Sequence, residues 1–176
     1  MSKLTLELNQ IINYDQYKKL VVDDYKVIAL SRECSILGRR EVLLGKGKFG
    51  IFGDGKELPQ MALNHFFKNG DFRSGYYRDQ TLLMAQSLLS PENFFAALYA
   101  HSDLTFEPMS GGRQMGGHFL SRSINIDGSW KNLMNQKNHS SDVSPTASQM
   151  PRLIGLAQAS KIYRQLKIKN SKSFSH

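Results

Sequence analysis

The chain has 176 residues, of which 40% are hydrophobic and 10% aromatic, which is enough for one domain with a real core. No stretch approaches the roughly 20 apolar residues that span a bilayer, and the N-terminus lacks the apolar run of a signal peptide. Cys34 is the only cysteine, so an intrachain disulfide is excluded and helix packing is its expected role. These features predict a cytoplasmic protein without a membrane partner.

The net charge of +8 is concentrated at one end of the chain. Residues 1–142 contain 17 basic and 15 acidic residues, whereas the residues after Asp142 include six basic residues and no acidic one. Such a distribution favours a solvated helix face and a loose tail over a surface that tracks phosphates, so we expect no nucleic-acid partner. A basic nucleic-acid binder remains an alternative. The six cations are Arg152, Lys161, Arg164, Lys167, Lys169 and Lys172.

The first half of the chain is predicted to be mostly helical. Apolar residues recur at helical spacing over residues 15–37, and Gly38 is the expected stop. The glycine-rich stretch 44–55 predicts a short extended segment between turns. Further helices are predicted over residues 59–67, 80–89 and 92–100.

Residues 102–142 are rich in Gly, Ser, Asn, His and Asp and are too long for a casual connection. Loops longer than about 12 to 15 residues inside a compact domain are usually binding loops or disordered segments, and both alternatives stay open here. Beyond this region Thr146 and Gln149 fit a capping box, and the following apolar run predicts a buried helix. We therefore expect one domain over residues 1–166, followed by a disordered basic tail over residues 167–176.

Two glycine patterns have a structural rather than a functional interpretation. Residues 45–50 match G-x-G-x-x-G, but no helix is predicted to start inside the motif as nucleotide binding requires. Gly53-Asp54-Gly55 is interpreted as a turn. The five histidines and the single cysteine show no zinc-type spacing.

Tyr77-Arg78 precedes a predicted helix, where a guanidinium can meet an anion. The planar fork of arginine suits a diphosphate because it donates two parallel hydrogen bonds and stays charged. The alternative is a surface ion pair beside a packed ring.

Two further segments combine polar residues in a specific order. Arg113-Gln114-Met115-Gly116-Gly117-His118 places a histidine, which titrates near neutral pH, after two glycines. Ser144-Pro145-Thr146-Ala147-Ser148-Gln149-Met150-Pro151 lies at a predicted helix start, whose free N–H groups and nearby carbonyls can hold a cofactor edge or a cation. A hydrogen-bonded structural histidine and an ordinary capped helix are the respective alternatives.

In this order, the three motifs resemble the alpha component of thiamin-diphosphate-dependent 2-oxo acid dehydrogenases, most closely the branched-chain type. The resemblance implies an α/β fold, namely the N-terminal part of a thiamin-diphosphate-binding fold that is helix-rich with an incomplete parallel sheet. It also implies oxidative decarboxylation of a 2-oxo acid and acyl transfer to a lipoyl acyltransferase, together with a beta component.

The resemblance also implies roles for individual residues. His118 falls on a catalytic histidine, whereas Gly116 and Gly117 replace a proline and a larger residue, and Val143 replaces a serine. Tyr77 and Arg78 are implied to bind the diphosphate, Ser144 and Thr146 the aminopyrimidine side of thiamin diphosphate, and Pro145, Ser148 and Gln149 a potassium ion.

The sequence offers no dedicated set of magnesium ligands beside these motifs, since no metal-binding Gly-Asp-Gly segment with a later asparagine follows them. We therefore expect the magnesium ligands mostly outside this chain, and an N-terminal portion or degenerate relative that is inactive alone. A noncatalytic interaction module that retains part of the fold is the other alternative.

Overall fold

The computed structural model describes residues 13–166. Within this range, helices cover most of the regular structure and a small parallel sheet joins two distant segments, which confirms an α/β class. In chain order the elements are α1 (Tyr14–Leu43), α2 (Glu57–Phe66), β1 (Phe72–Tyr76), α3 (Gln80–Ala85), α4 (Pro91–Leu98), a 3-10 turn (Leu133–Asn135), β2 (Asn138–Val143) and α5 (Gln149–Gln165).

Helix α1 begins with a capping box in which the Asn13 side chain accepts from the Gln16 N–H and the Gln16 side chain accepts from the Asn13 N–H. The predicted stop at Gly38 is wrong, because the helix continues to Leu43. Gly38 instead makes room for a ring: a Cβ there would lie 2.5 Å from Cε1 of Phe52. The glycine therefore serves packing against α1 rather than termination.

The predicted short extended segment between turns in residues 44–55 is not a β-strand: turns and bends cover residues 44–48 and 54–55, and residues 49–53 between them have no regular structure. Its first N–H groups remain tied to α1, where the carbonyl of Glu41 accepts from Lys46 and Gly47 at 3.0 and 3.2 Å. Phe52 then enters the core. Backbone satisfaction by the helix end, rather than by a partner strand, fixes this segment.

The hydrophobic core lies between α1, α3, α4 and the segment around Phe119. Leu83 and Phe119 are each only 1% exposed, although Phe119 belongs to the long region without regular helices. The core thus holds that region in place. The buried cluster consists of Cys34, Phe52, Leu83, Met84, Leu89, Phe94, Leu98 and Phe119.

A buried polar layer fixes α3 against α1. The Gln80 side-chain amide donates to the Ser31 carbonyl at 3.1 Å and to the Ser35 hydroxyl at 2.9 Å, while the Ser31 and Thr81 hydroxyls lie 2.7 Å apart. Because buried polar groups are costly unless paired, this network admits one register of the two helices. It sets the direction in which the preceding Tyr77-Arg78 segment points.

The two strands are parallel, with Phe72 opposite Asn138 and Tyr76 opposite Val143. Strand β2 lies inside the region predicted as loop, and its sequence Asn-His-Ser-Ser-Asp-Val shows no apolar alternation that would reveal it. Parallel strands end at the same edge of a sheet. Tyr77 and Ser144, which follow the two strands, therefore emerge side by side.

Helix α5 differs from its prediction in two ways. The N-cap is Ser148, without a side-chain cap bond, so the Thr146–Gln149 capping box is wrong. The helix is not buried either: no residue of it is buried, and Ile154 is 70% exposed. It is held to the sheet through polar contacts, in which the Ser74 hydroxyl donates to the Gln149 carbonyl at 2.9 Å and Arg152 donates to the Ser141 carbonyl.

The predicted tail over residues 167–176 lies outside the described residues. Among residues 13–166, no helix is long and apolar enough to cross a membrane.

Replacing Leu83 by Ala tests the location of the core. We expect the free energy of unfolding to fall by about 3 kcal/mol, because a fully buried leucine leaves a cavity when truncated. The control is Leu58→Ala, which makes the same change at a helical residue that is 72% exposed, and should alter it by less than about 0.5 kcal/mol. Urea unfolding of both variants measures the difference, and equal losses would contradict this core.

Candidate functional site

Two of the sequence motifs meet through one hydrogen bond. Nε2 of His118 lies 2.5 Å from Oγ of Ser144, and Nδ1 of His118 lies 3.0 Å from the Met115 carbonyl. Since a carbonyl only accepts, Nδ1 carries the proton and Nε2 of the neutral ring accepts from the Ser144 hydroxyl. Both side chains are half-buried, so this polar pair is accessible from solvent.

The backbone of Tyr77 lies close to Gly117, the residue before His118. Gly117 has φ +90°, and a Cβ on it would lie 3.0 Å from the Tyr77 carbonyl oxygen. Any other residue would be strained at this φ, because its Cβ would clash with the backbone. Gly117 therefore permits a close approach of the His118 segment to the Tyr77 segment.

The neighbouring residues Tyr76 and Tyr77 are hydrogen-bonded to each other through their hydroxyls. The Tyr76 hydroxyl donates to the Tyr77 hydroxyl, and the ring centroids are 3.9 Å apart. The hydrogen bond with Tyr77, followed by one with Thr146, lowers the pKa of Tyr76, whereas the bond with Tyr76 raises the pKa of Tyr77. The ring that ionises first accepts a hydrogen bond from the hydroxyl of the other, so the pair loses its protons in sequence. Thr146 is thereby placed beside this pair.

Arg78 lies beside the side chain of Tyr77. Its Nη1 donates to the Phe52 carbonyl at 3.2 Å, and its guanidinium carbon lies 5.8 Å from the centre of the Tyr77 ring. It lines a small cavity with Arg39, whose own guanidinium is paired with Asp54 at 2.6 Å. Arg78 also hydrogen-bonds with the Tyr77 side chain, and these contacts use only some of its donors.

The segment that leads to His118 is organised by Glu107, which is 2% exposed. Its carboxylate accepts from the N–H groups of Met109, Ser110 and Gly112 and from the Ser110 hydroxyl, at 2.7 to 3.0 Å. Burial disfavours the charged form, but the hydrogen bonds from Gly112, Ser110 and Met109 outweigh it and lower the pKa of Glu107. A single anion thus replaces regular secondary structure here.

Beneath the site lies a buried charged network centred on Arg73, which is 7% exposed. Its Nη2 lies 2.6 Å from Oδ1 of Asp142, its Nε donates to Asp79 at 3.1 Å, and its Nη1 donates to Nδ1 of His139 at 3.0 Å. Gly75 leaves room for it, because a Cβ there would lie 2.0 Å from both Arg73 and Asp142. Burial raises the pKa of Asp142 to about 7, although Arg73 and the Phe119 N–H favour its charged form.

His139 is a structural member of this network. Since its Nδ1 accepts from Arg73, the proton of the neutral ring lies on Nε2, which donates to Oε1 of Gln86 at 2.6 Å. Burial, followed by the charge of Arg73, lowers the pKa of His139 to about 3. This histidine remains neutral at physiological pH and accepts one hydrogen bond from the buried guanidinium.

The residues implied for potassium lie in the turn before α5 and at the first residue of that helix. The Pro145 carbonyl accepts from the Ser148 N–H at 3.2 Å, and the Gln149 side chain donates to the Val143 carbonyl at 3.3 Å. Ala147 has φ +69°, which turns the chain into the helix. In the described part of the chain, no group of three or more His, Cys, Asp or Glu residues is arranged to hold a metal ion.

The structure therefore joins His118 to Ser144 and brings the Tyr77 backbone close to the residue before His118. Thr146 lies near Tyr76, and Arg78 contacts the Tyr77 side chain. Reasoning from the sequence missed the residues that support them, because buried charges show no periodic signal. The supporting residues are Arg73, Asp79, Glu107, His139 and Asp142.

No known protein-family model matches the chain. A search of curated proteins finds similarity to the 2-oxoisovalerate dehydrogenase subunit alpha of Bacillus subtilis (strain 168), at 29% identity over 149 residues. The aligned part is 82% of this chain and 39% of that protein, so the chain spans about two fifths of the length of its relative. The match supports a distant relationship to the alpha subunits of 2-oxo acid dehydrogenases.

The hydrogen bonds predict opposite tautomers for two neutral histidines. We expect the proton of His118 on Nδ1 and that of His139 on Nε2, because each ring's other nitrogen accepts. At about pH 5, His139 should still be neutral, whereas a histidine in a reference peptide is protonated. Two-dimensional ¹⁵N NMR of the imidazole nitrogens measures both properties. An Nε2-protonated His118 would contradict the proposed donor at Ser144.

Glu107→Gln tests the anion that holds the 107–114 segment. At neutral pH we expect a loss of about 2 kcal/mol in the free energy of unfolding, because buried N–H groups lose a charged acceptor. The lowered pKa of Glu107 means that its stabilisation is present above the ordinary glutamate pKa of 4.5 and is lost as the pH falls through the folded-state pKa. The difference between variant and wild type should therefore shrink in acid.

The matched control for this prediction is Glu33→Gln, at an exposed residue of α1. It should leave the free energy of unfolding unchanged within about 0.5 kcal/mol. Thermal unfolding at several pH values gives both comparisons, and a Glu107→Gln loss that grows in acid would contradict the assigned sign.

Proposed function

We propose that the chain provides the N-terminal part of an alpha component of a thiamin-diphosphate-dependent 2-oxo acid dehydrogenase. The observation that carries the proposal is the contact between His118 and Ser144, which joins two motifs 26 residues apart beside Tyr77. The distant similarity to the Bacillus subtilis subunit supports the same class. The proposed substrate is a 2-oxo acid, and the reaction is its oxidative decarboxylation in the cytoplasm.

The residues present fit one part of the cofactor and not another. A guanidinium at Arg78 with unused donors and the hydroxyls of Tyr77, Ser144 and Thr146 suit the polar, anionic portions of thiamin diphosphate. Magnesium requires several oxygen ligands in near-octahedral order, and residues 13–166 present no acidic cluster of that kind. In this proposal the magnesium ligands come from further polypeptide, and no step is assigned to the metal here.

Bound thiamin diphosphate would supply the electron sink for decarboxylation. Arg78 would bind a phosphate oxygen, and Tyr77 would orient it, since their segments adjoin. His118 would hold or accept a proton at Nε2, the nitrogen that now accepts from Ser144. Ser144 and Thr146 would contact the aminopyrimidine side, and a potassium ion held by Pro145, Ser148 and Gln149 would order the turn.

The proposed partners are a beta component and a lipoyl acyltransferase. The apolar surface of α5 supports the participation of another polypeptide, because Leu153 and Ile154 are 50% and 70% exposed on a helix with no buried residue. Such surfaces usually mark contacts with other chains. A noncatalytic module that keeps this surface but ignores the cofactor is the second candidate, which the next experiment separates.

A titration with thiamin diphosphate and magnesium, followed by NMR of the backbone amides, tests the proposal. We expect weak binding, with a dissociation constant on the order of 1 mM, because a single guanidinium and a few hydroxyls provide little free energy. The shifts should be confined to the amides of Tyr77, Arg78, His118, Ser144 and Thr146. Arg78→Gln should weaken the binding at least about threefold, because the variant loses a surface hydrogen bond to a charged group.

Arg122→Gln is the matched control, since Arg122 is exposed and donates to the Pro108 carbonyl as Arg78 donates to that of Phe52. It should leave the titration unchanged. A response that is absent, or equal in both variants, would favour the noncatalytic module. Calorimetry that shows tight, magnesium-dependent binding would contradict an incomplete site.

A further inference from the structure

Asp142 joins the two segments that carry His118 and Ser144. Its Oδ2 accepts from the Phe119 N–H at 3.2 Å, and its own N–H donates to the Phe119 carbonyl at 3.1 Å. Phe119 is the residue after His118, and Ser144 is two residues after Asp142. The aspartate therefore fixes the backbone next to both members of the His118–Ser144 pair.

The rest of the carboxylate is fixed by the buried guanidinium. Oδ1 of Asp142 lies 2.6 Å from Nη2 of Arg73, and the exposed fractions of the two side chains are 0% and 7%. Arg73 is itself fixed by Asp79 and by His139, whose ring is held by Gln86. These partners lie on β2 and at the two ends of α3, so the carboxylate has one orientation relative to β1, β2 and α3.

We propose that Asp142 is a positioning residue that holds the His118 imidazole and the Ser144 hydroxyl at hydrogen-bonding distance. The proposal rests on the proposed function only for what the two side chains do to a bound cofactor or substrate. Asp142 itself is buried, so it would contact neither a bound cofactor nor a bound substrate. Residue 119 belongs to no strand, and the Asp142 carboxylate connects its backbone to β2.

Asparagine at this position separates positioning from packing. Asp142→Asn keeps the shape but offers one acceptor and one donor group, so either Arg73 or the Phe119 N–H must face an NH2 group. Asp79→Asn is the matched control, because it alters the other carboxylate on Arg73 without touching Phe119. Ser144→Ala defines the ¹⁵N shift of Nε2 in His118 when the Ser144 hydroxyl is missing.

We expect Nε2 of His118 in Asp142→Asn to move toward its value in Ser144→Ala, whereas Asp79→Asn retains the wild-type value. The Phe119 amide should exchange with solvent at least about tenfold faster in Asp142→Asn than in Asp79→Asn, as expected for loss of a hydrogen bond to a charged acceptor. An unchanged Nε2 shift in folded Asp142→Asn, or equal effects of the two variants, overturns the proposal. Circular dichroism establishes that the variants are folded.

The wild-type chain provides a second test if Asp142→Asn does not fold. The amides of Phe119 and Asp142 bond to opposite sides of the same clamp and should exchange with similar, slow rates. A Phe119 amide that exchanges like an exposed loop amide overturns the proposal. These readouts need no cofactor, so a chain that ignores thiamin diphosphate refutes the proposed function and leaves the role of Asp142 standing.

Discussion

A buried guanidinium that must be neutralised is the constraint on which this arrangement depends. Arg73 lies on the first strand of the sheet, and its charge is met by Asp142 on the second strand and by Asp79 before α3. Removing one partner of a buried ion pair typically costs about 3 to 5 kcal/mol. The strand pairing, the entry into α3 and the backbone around Phe119 are therefore linked through one side chain, and the candidate site lies directly above it.

In the long central region, buried carboxylates accept hydrogen bonds from backbone N–H groups that helices or strands would satisfy elsewhere. Glu107 gathers three N–H groups that no helix or strand satisfies, and Asp142 gathers a fourth at Phe119. Each carboxylate is almost fully buried, and each stands close in sequence to a motif residue. A functional loop needs such local anchors, because a binding geometry on an unsupported loop has no fixed distances.

Prediction from the sequence succeeded where the signal is local. Helix starts were found within two residues at Gln80 and Pro91, since capping residues and apolar spacing act over one turn. It failed at Gly38, where packing against Phe52 replaces the usual role of glycine as a helix stop. It also failed for β2, whose polar sequence pairs with β1 because Ser140 and Asn138 find backbone partners there.

The sequence by itself determined the helical character of the first half, the order of the three motifs and their chemistry, because these are properties of residue type and short spacing. Only the tertiary structure decided that His118 meets Ser144, that Arg78 donates to the Phe52 carbonyl, and that α5 is exposed rather than buried. Such outcomes depend on contacts between residues far apart in the chain. They also depend on buried charges, whose partners cannot be read from the residues that flank them.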